Sequence, residues 1–573
     1  MRNREIANIL REIADFLEIQ EVEYKPRAYR RAARNIESLS TDIEDVYERG
    51  ELEEIEGVGE SIAGKIAEYL ETGELDYYEE LKADLPIDIE AITSVEGVGP
   101  KTAKKLYLEL DVQTLEDLER AAEEGRIARL EGFGEKSQQN ILDHIERAKQ
   151  GQERMLLGRA FPIAQNVETR LSQTDAFDQV DVVGSFRRRR PTVGDIDVLA
   201  TASDPETAME LFCSHDDVKE VLSRGETKSS VVVSGDLQMD LRIVADVEYG
   251  AALVYFTGSK DHNISLRNLA IDRGWKLNEY GLFDVSELDD GANGQRAGER
   301  IAGETEEGVY ETLDLAWIPP ELREDTGEVE AASSGKLPDL VVLDDVRGDL
   351  QLHTDYSDGS HSVREMAEAA VERELEYILV SDHGPHAPIP SKLDAESFDD
   401  QQAEIEAVND DDLDVTVLHG IEAEITTEGL EIPEDWCERC DLIVAGMHSA
   451  PSDPTERLVD ALREFPIDIL AHPTNRLINE RAPLDLDMET VLETAADERV
   501  AIEINAQPER LDLDWASVKE YRDTVQYVVS TDAHTTVELE FMHLGVSQAR
   551  RGWCETDNIL NTRSLQDLLS FFE

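Results

Sequence analysis

Lysine, cysteine and long apolar runs are all scarce in this sequence of 573 residues. It has only 15 lysines against 40 arginines, and its four cysteines are too few for the disulfide framework of a secreted domain. No apolar run reaches the roughly 18 residues that a membrane-spanning helix needs. The first 20 residues carry mixed charges at helical spacing, unlike a secretory signal. The sequence therefore predicts a cytoplasmic protein with no membrane segment.

Positive charge is scarce overall. Lys and Arg number 55 against 128 Asp and Glu, which gives a formal net charge of −73. Intrinsic disorder is one interpretation, but it requires low hydrophobicity and the loss of periodic patterns, and neither is seen here. We interpret the composition as that of a folded protein adapted to very high salt, whose acidic surface maintains solubility. The length predicts three or four domains.

A short pattern occurs three times in the first 150 residues. Each copy, in 55–66, 95–106 and 130–141, has Glu-Gly-apolar-Gly followed by a helical pattern. The glycines allow close backbone approach, and the first amides of the next helix can bind a phosphate. The pattern resembles the helix-hairpin-helix element that binds DNA backbone; ordinary glycine-capped turns are the alternative. The residues expected to contact DNA are Gly57, Gly59, Gly97, Gly99, Lys101, Lys104, Gly132 and Gly134.

Four consecutive arginines precede two aspartates within residues 183–200. Alternation in DIDVLA puts Asp195 and Asp197 on one face of a predicted strand, and LQMDLRIV does the same for Asp240 and Arg242. Three carboxylates on neighbouring strands can hold two divalent ions for phosphoryl transfer, and arginines beside them can neutralise a triphosphate. The alternative is a solvated basic loop followed by an ordinary acidic strand.

These motifs resemble the nucleotidyltransferase site of family X DNA polymerases, and the similarity extends over nearly the whole chain. The resemblance implies that Asp195, Asp197 and Asp240 are catalytic and hold Mg²⁺ or Mn²⁺. Tyr255 and Phe256 would lie against the nucleotide sugar. The nucleotide-binding residues that it implies are Gly184, Ser185, Arg188, Tyr255, Phe256, Gly258, Asn263 and Arg267.

The first segment, including YKPRAYRRAARNI at 24–36, is similar to the N-terminal lyase domain of the same family. Lys65 matches the family's Schiff-base lysine, and Lys25 and Tyr29 match supporting positions at the DNA. Ser61 stands where some relatives carry another lysine, which predicts a weaker positive field around Lys65. Lys65 is therefore either a lyase nucleophile or only a phosphate-binding lysine.

The last 230 residues contain nine of the twelve histidines. Seven strand-like runs alternate there with helical patterns, and most of them end in a possible ligand, as at the active-site face of an α/β barrel. Neutral imidazoles with carboxylates favour Zn²⁺ or Mn²⁺. The candidate metal ligands are His353, Asp358, His383, Glu422, His448, His472, Asp532 and His534.

The pattern resembles the PHP (polymerase and histidinol phosphatase) domain, a distorted (β/α)7 barrel with a three-metal phosphoesterase site. Gln351 replaces the first histidine of the family's His-x-His, and a neutral amide oxygen binds these metals more weakly than imidazole does. An active domain would be a 3′-to-5′ exonuclease or an apurinic-site endonuclease. An inactive one would only brace the polymerase.

The resemblance implies a multidomain chain of α+β and α/β class. The expected domains are a lyase-like helical domain at 1–82 with one helix-hairpin-helix, a fingers-like domain at 83–150 with two, a palm at 151–246, a thumb at 247–320, a linker at 321–340 and a PHP barrel at 341–573.

We expect a monomeric, template-directed polymerase that fills short gaps in DNA repair. Its partners would be gapped or primed double-stranded DNA and deoxynucleoside triphosphates, with no membrane. The alternatives are a DNA-targeted PHP phosphoesterase with an inactive polymerase site, an active polymerase with a structural PHP domain, and a non-catalytic scaffold that binds DNA ends.

Overall fold

The computed structural model consists of two compact units, residues 1–152 and 153–573. It describes residues 154–286, 294–411, 413–426, 429–449, 451 and 453–572. Before residue 154 it describes shorter segments, of which the longest are 25–37, 43–50, 58–72, 100–110 and 112–130.

The first unit is helical in its described segments. Its α1 buries Tyr29, Ala32, Ala33 and Ile36 on one face, because these apolar residues recur at helical spacing. A capping box between Thr114 and Asp117 fixes the start of α5. The helices are α1 (Lys25–Glu37), α2 (Ile43–Glu48), α3 (Glu60–Thr72), α4 (Pro100–Leu110) and α5 (Leu115–Glu123).

The second unit begins with a five-stranded sheet in the order β2-β4-β7-β6-β5, and a small β1–β3 pair. The predicted strands DIDVLA and LQMDLRIV are confirmed as β4 and β7, which pair in parallel. The strands are β1 (Met155–Leu156), β2 (Gln179–Val182), β3 (Thr192–Val193), β4 (Asp195–Thr201), β5 (Glu220–Arg224), β6 (Lys228–Val232) and β7 (Gln238–Val244). The helices are α6 (Leu157–Ser172), α7 (Gly184–Arg187) and α8 (Pro205–Cys213).

A helical layer and a three-stranded antiparallel sheet in the order β10-β9-β8 follow. The elements are α9 (Tyr249–Thr257), α10 (Lys260–Asp272), β8 (Trp275–Asn278), β9 (Gly281–Asp284), β10 (Glu299–Ala302), α11 (Glu306–Thr312) and α12 (Glu328–Ser334). The stretch 321–340, predicted as a polar linker, contains α12 and the fully buried Arg323 and Glu328. Its charged residues are packed because they form the ion pairs described below.

The rest of the chain is a seven-stranded parallel barrel in the order β11-β12-β13-β15-β16-β17-β18, with β14 paired antiparallel to β13. A parallel bridge between Leu352 and Ala533 brings the first and last strands together. The strands are β11 (Gly348–Leu352), β12 (Tyr377–Val380), β13 (Thr416–Thr426), β14 (Gly429–Glu431), β15 (Leu442–Gly446), β16 (Ile469–Leu470), β17 (Ala501–Asn505) and β18 (Tyr527–Ser530). The expected (β/α)7 architecture is confirmed.

Among the described residues of this part of the chain, eight helices accompany the strands, with N-terminal caps such as Ser362 and Asp394. They are α13 (Val363–Val371), α14 (Ala395–Asn409), α15 (Glu434–Cys437), α16 (Pro454–Glu464), α17 (Met488–Glu498), α18 (Trp515–Tyr521), α19 (Met542–Arg551) and α20 (Leu565–Phe572). Within the part of the chain that the structure describes, no helix is both long and apolar enough to cross a bilayer.

Candidate active sites

Three aspartates come together on the central strands of the five-stranded sheet. Asp195 and Asp197 lie on β4, and the parallel register places Asp197 opposite Asp240 of β7. Burial, and then the charges of Asp195 and Asp240, raise the pKa of Asp197 to about 7. Three carboxylates so close repel one another unless cations neutralise them, so this donor set fits divalent metal ions.

Two side chains bind the Asp240 carboxylate. Lys228 of β6 forms an ion pair at 2.6 Å between Nζ and Oδ2, and the Gln238 amide donates to Oδ1 at 3.1 Å. Lys228 thus supplies a positive charge at a carboxylate that is otherwise buried. Sequence spacing gave no sign of it, because Lys228 is on another strand.

The four arginines of 187–190 contact buried carboxylates and aromatic rings. Arg187 forms two hydrogen bonds to Glu306, at 2.8 and 3.0 Å. Arg188 and Arg190 each donate to Glu324 at 3.2 Å. The guanidinium carbon of Arg189 lies 4.8 Å from the centroid of the Phe161 ring. The arginines therefore tie the five-stranded sheet to the segments around 306 and 324.

The predicted triphosphate residues lie around the start of α7 and the end of α9. Gly184 has a φ of 68°, and a Cβ there would lie 2.7 Å from Oδ2 of Asp197. Ser185 is in the single turn of α7. Arg188 donates to the Thr257 carbonyl, and its guanidinium lies against Gly258. Gly184, Ser185, Arg188 and Gly258 therefore form one neighbourhood beside the aspartates.

Three of the other predicted nucleotide residues line a small pocket beside α9 and α10. Tyr255, Asn263 and Arg267 share its wall with Asn278 and Leu277. The Asn263 amide donates to the Tyr255 carbonyl at 2.8 Å, and Arg267 Nε donates to the Asn263 carbonyl at 3.1 Å. Phe256 packs edge-on against Tyr255, with the ring centroids 5.1 Å apart. Backbone carbonyls thus hold the side chains of Asn263 and Arg267 in place.

Lys65 lies on α3 and is partly enclosed. Its Nζ donates to the carbonyl and hydroxyl oxygens of Ser61 at 3.3 Å and lies 4.6 Å from the centroid of the Tyr77 ring. Burial, and then the charge of Lys25, lower the pKa of Lys65. Burial and Tyr77 raise the pKa of Tyr29 to about 12.

The predicted DNA contacts are only partly covered by the structure. Gly59 and Gly134 are exposed, and a Cβ at either would meet none of the described residues within 4 Å. Lys104 is half-buried on α4, and Lys25 is exposed at the start of α1. Lys101 belongs to α4, but its side chain lies outside the described residues, as do the predicted glycines Gly57, Gly97, Gly99 and Gly132.

All eight predicted metal ligands meet at one end of the barrel. Glu422 is central: nitrogen atoms of four histidines lie 3.1–3.4 Å from its carboxylate oxygens, those of His353, His383, His448 and His472. Asp532 lies 3.0 Å from His353, and Asp358 lies 3.4 Å from His534 and 3.8 Å from His383. The ligands follow successive strands because parallel strands end on the same face of a barrel.

The charges of this cluster are strongly coupled. Burial alone would lower the pKa of His534, but the hydrogen bond to Asp358 and the charge of Asp532 raise it to about 10. Burial, with the charge of Arg510, lowers the pKa of His472 to about 4. A neutral His472 has a nitrogen lone pair available for a metal, whereas His534 holds a proton that a cation would displace.

Buried polar atoms at this end of the barrel also fit a metal site. Both side-chain polar atoms of Gln351 are buried and lack a hydrogen bond among the described residues. Nε2 of His353 lies 3.0 Å from Asp532 and 3.4 Å from Oε2 of Glu422, so it faces other candidate ligands. Gln351 lies on β11, and His353 follows two residues later, directly after the strand. Because side chains alternate along a strand, both face the cluster. Buried polar atoms are normally paired, so this set is consistent with bound cations.

Comparisons with known proteins agree with this geometry. Family models match for the helix-hairpin-helix domain at 1–75, the SAM-like helix-hairpin-helix tandem at 49–111 and 89–147, the DNA polymerase beta thumb at 252–324 and the PHP domain at 349–507. The chain is 34% identical over 582 residues to the DNA polymerase/3′-5′ exonuclease PolX of Bacillus subtilis (strain 168), with all of both chains covered. The chain belongs to the family X DNA polymerases.

Two eukaryotic relatives cover only part of this family X polymerase. It is 27% identical to DNA polymerase lambda of Arabidopsis thaliana over 56% of this chain and 62% of the relative. It is 26% identical to DNA polymerase lambda of Rattus norvegicus over 56% of both. The PolX relative, in contrast, is similar along the whole chain, so the similarity includes the barrel.

Sequence reasoning missed several residues that contact the candidate metal ligands of the barrel. Glu424 contacts Nδ1 of the predicted ligand His448 at 2.5 Å, and Glu503 accepts a hydrogen bond from the His472 amide at 2.6 Å. Asn505 donates to Asp532 at 3.1 Å. Alternation along β13 and β17 was the available signal, since Glu424 is two residues from Glu422, and Glu503 and Asn505 share a face.

Proposed function

We propose that this family X polymerase fills short gaps in DNA by template-directed nucleotidyl transfer at Asp195, Asp197 and Asp240. The observation that carries this proposal is that Asp197 and Asp240 lie opposite each other on paired strands. The pKa of Asp197 is raised to about 7 there. These three aspartates would hold divalent ions, which would supply Lewis-acid chemistry for phosphoryl transfer. Lys228 would keep the Asp240 carboxylate oriented until those ions bind.

The nucleotide would occupy the space between the aspartates and the pocket of Tyr255, Asn263 and Arg267. Ser185 and Arg188 would bind its phosphates, and Tyr255 and Phe256 would pack against the sugar. The backbone contacts of Asn263 and Arg267 support this role, because groups that are already fixed lose little freedom when a ligand binds.

Primer extension on gapped DNA tests the polymerase proposal. Asp195→Ala and Asp240→Asn should each lower extension by at least about a hundredfold, because each removes a charge needed at the metal site. Glu220→Ala removes an exposed carboxylate from β5 of the same sheet and should retain extension. Extension that survives Asp195→Ala would contradict the assignment.

We further propose that the barrel is a metal-dependent phosphoesterase that shortens DNA from the 3′ end. The convergence of eight ligands, together with the buried amide of Gln351 that lacks a hydrogen bond among the described residues, supports this. Mn²⁺ or Zn²⁺ would be held by these residues and would supply Lewis-acid chemistry at a phosphodiester. His383→Ala should abolish primer shortening in the absence of nucleotides. His386→Ala is the matched control, since His386 is exposed and contacts Glu431 at 2.9 Å instead.

Lys65 is proposed as the nucleophile of a 5′-deoxyribose-phosphate lyase, supported by its lowered pKa and partial enclosure. Borohydride trapping on DNA with an incised abasic site tests it. Lys65→Arg keeps the charge, so it should lose the trapped adduct and retain DNA binding. Absence of an adduct with the wild-type protein would leave Lys65 as a phosphate-binding residue and contradict the lyase proposal.

A further inference from the structure

Glu324 is the meeting point of the polymerase site and the barrel. Its carboxylate is 8% exposed and lies 3.2 Å from each of three guanidinium groups, those of Arg188, Arg190 and Arg551. Burial alone would raise the pKa of Glu324, but the charges of Arg551, Arg188 and Arg190 lower it. One carboxylate is therefore shared by three cations, two from the polymerase segment and one from α19 of the barrel.

Arg551 is fully buried and incompletely paired. Its Nη1 donates to Glu324 and to the carbonyl of Arg188, the latter at 2.6 Å. Its Nε and Nη2 are buried with no hydrogen-bond partner in the described part of the chain. The guanidinium carbon lies 4.8 Å from the centroid of the Trp515 ring. A buried guanidinium with two unused donors would gain from a fuller contact with a carboxylate.

The surrounding contacts hold α19 against the polymerase segment. His543 packs on Phe161 with the ring centroids 4.3 Å apart, and Phe161 in turn faces Arg189. Arg550 donates to Glu321 and to the Val341 carbonyl, both at 2.9 Å. The barrel therefore forms a fixed wall beside the residues that were assigned to the triphosphate.

We propose that Arg551 is a positioning residue for the nucleotide site: it takes over the Glu324 carboxylate when Arg188 turns to the triphosphate. This inference rests on the proposed role of Arg188 in nucleotide binding. In the structure Arg188 donates to Glu324 and lies beside Thr257 and Gly258. When Arg188 moves to the phosphates, Glu324 Oε1 is free to accept the unused donors of Arg551. Its charge stays neutralised, so the release of Arg188 is less costly.

The physical reason is that a buried carboxylate left poorly paired is strongly destabilising. Without Arg551, the loss of Arg188 would leave Glu324 with Arg190 alone, whose side chain is 43% exposed. With Arg551, a fully buried guanidinium replaces the departing one. The pair is also shielded from salt, because buried charges are screened far less than exposed ones.

Steady-state primer extension by the full chain in molar KCl tests this. Arg551→Met keeps the buried volume and removes the charge. We expect it to raise the KM for the incoming nucleotide about tenfold, the size of a lost charge-assisted hydrogen bond, with a smaller change in kcat. In a Glu324→Gln background the same substitution should change KM less than about twofold. Arg551→Lys should partly restore the affinity.

Arg550→Met is the matched control, because it removes one charge from the same helix and one contact to the 321–324 segment without touching Glu324. Its KM should stay within about twofold of wild type. An equal rise in KM for Arg550→Met and Arg551→Met would show general docking and overturn the inference. So would an Arg551→Met effect that is unchanged in the Glu324→Gln background.

Primer shortening without nucleotides checks that each variant is folded. If Arg551→Met is misfolded, Arg551→Gln, which also removes the charge, takes its place: a KM identical to that of the protein with Arg551 in both the wild-type and the Glu324→Gln backgrounds would overturn the inference. A wild-type protein that fails to extend primers would contradict the proposed function. Normal extension with a KM insensitive to Arg551 would contradict this inference alone.

Discussion

At the scale of single residues, buried carboxylates determine where the arginines of 187–190 point. Glu306 accepts from Arg187, Arg323 and the Trp317 indole, at distances between 2.7 and 3.0 Å. Burial alone would raise the pKa of Glu306, but Arg323 and Arg187 lower it to about 2. The Glu306 carboxylate therefore stays ionised in the folded protein at pH values well below its ordinary pKa.

Glu306→Gln tests how much this ion pair contributes to the free energy of unfolding and how that contribution changes with pH. A carboxylate with a lowered pKa stabilises the fold above its ordinary pKa and loses that effect as the pH falls towards the folded value. Wild type should therefore be more stable than the variant at pH 7, by about 3 kcal/mol. The difference in free energy of unfolding should shrink below about pH 4.5. Denaturant titrations at several pH values measure it, and a difference that is independent of pH would contradict the assignment.

Gln351 offers a second residue-scale test. Its amide is buried beside His353 with no hydrogen bond among the described residues, so an imidazole there would face the same cluster. Gln351→His should bind Mn²⁺ or Zn²⁺ more tightly, because imidazole is a better ligand for these ions than a neutral amide. Gln351→Ala should bind more weakly. Metal retained after dialysis measures both, and equal retention by all three proteins would contradict a ligand role for this position.

These residues also show where the sequence was insufficient. Carboxylates on alternating strand positions and histidines at strand ends were predictable, because strand period and barrel topology bring them together. The partners of the arginines were not, since Glu306 and Glu324 are more than 100 positions away in a stretch taken for thumb and linker. Burial of charge depends on the whole packing and leaves no local pattern.

At the scale of elements, the backbone at the start of α7 lies so close to Asp197 that a change in this turn would displace the carboxylate. Gly184→Ala would strain a backbone at φ 68° and would also push on Asp197, 2.7 Å from the new Cβ. Gly335 has a φ of 67° and nothing within 4 Å. Both substitutions to Ala should lower stability by about 1 kcal/mol.

Only Gly184→Ala should also impair primer extension, by tenfold or more, since it displaces a carboxylate of the metal site. Primer extension and thermal unfolding of the two variants decide this. Equal extension by Gly184→Ala and Gly335→Ala would contradict the position assigned to Asp197.

At the scale of the whole molecule, a net charge of −73 has to be reconciled with binding to DNA. Affinity that depends on exposed lysine and arginine falls steeply with salt, whereas backbone amides at helix starts act at contact distance. Both lysines after residue 341 are engaged in the structure: Lys392 donates to the Ala387 carbonyl and Lys519 to that of Thr326. We therefore expect the helix-hairpin-helix repeats to provide the DNA affinity.

Gly59→Leu and Gly134→Leu test this in the full chain. Among the described residues no atom lies within 4 Å of a Cβ at either position, so we expect the fold to tolerate a side chain there, while a phosphate could no longer approach the backbone. DNA affinity should fall about tenfold in molar KCl with little change in Tm. Gly64→Leu on α3 also has open space and serves as the control. Unaltered affinity in the two hairpin variants would contradict the assignment.

The most direct test of the central claim, a polymerase and a nuclease in one chain, uses a labelled primer on gapped DNA in molar KCl with Mn²⁺. The account predicts extension when nucleotides are present and shortening when they are absent. Shortening under both conditions, with no extension, would contradict it and would leave a phosphoesterase that is directed to DNA.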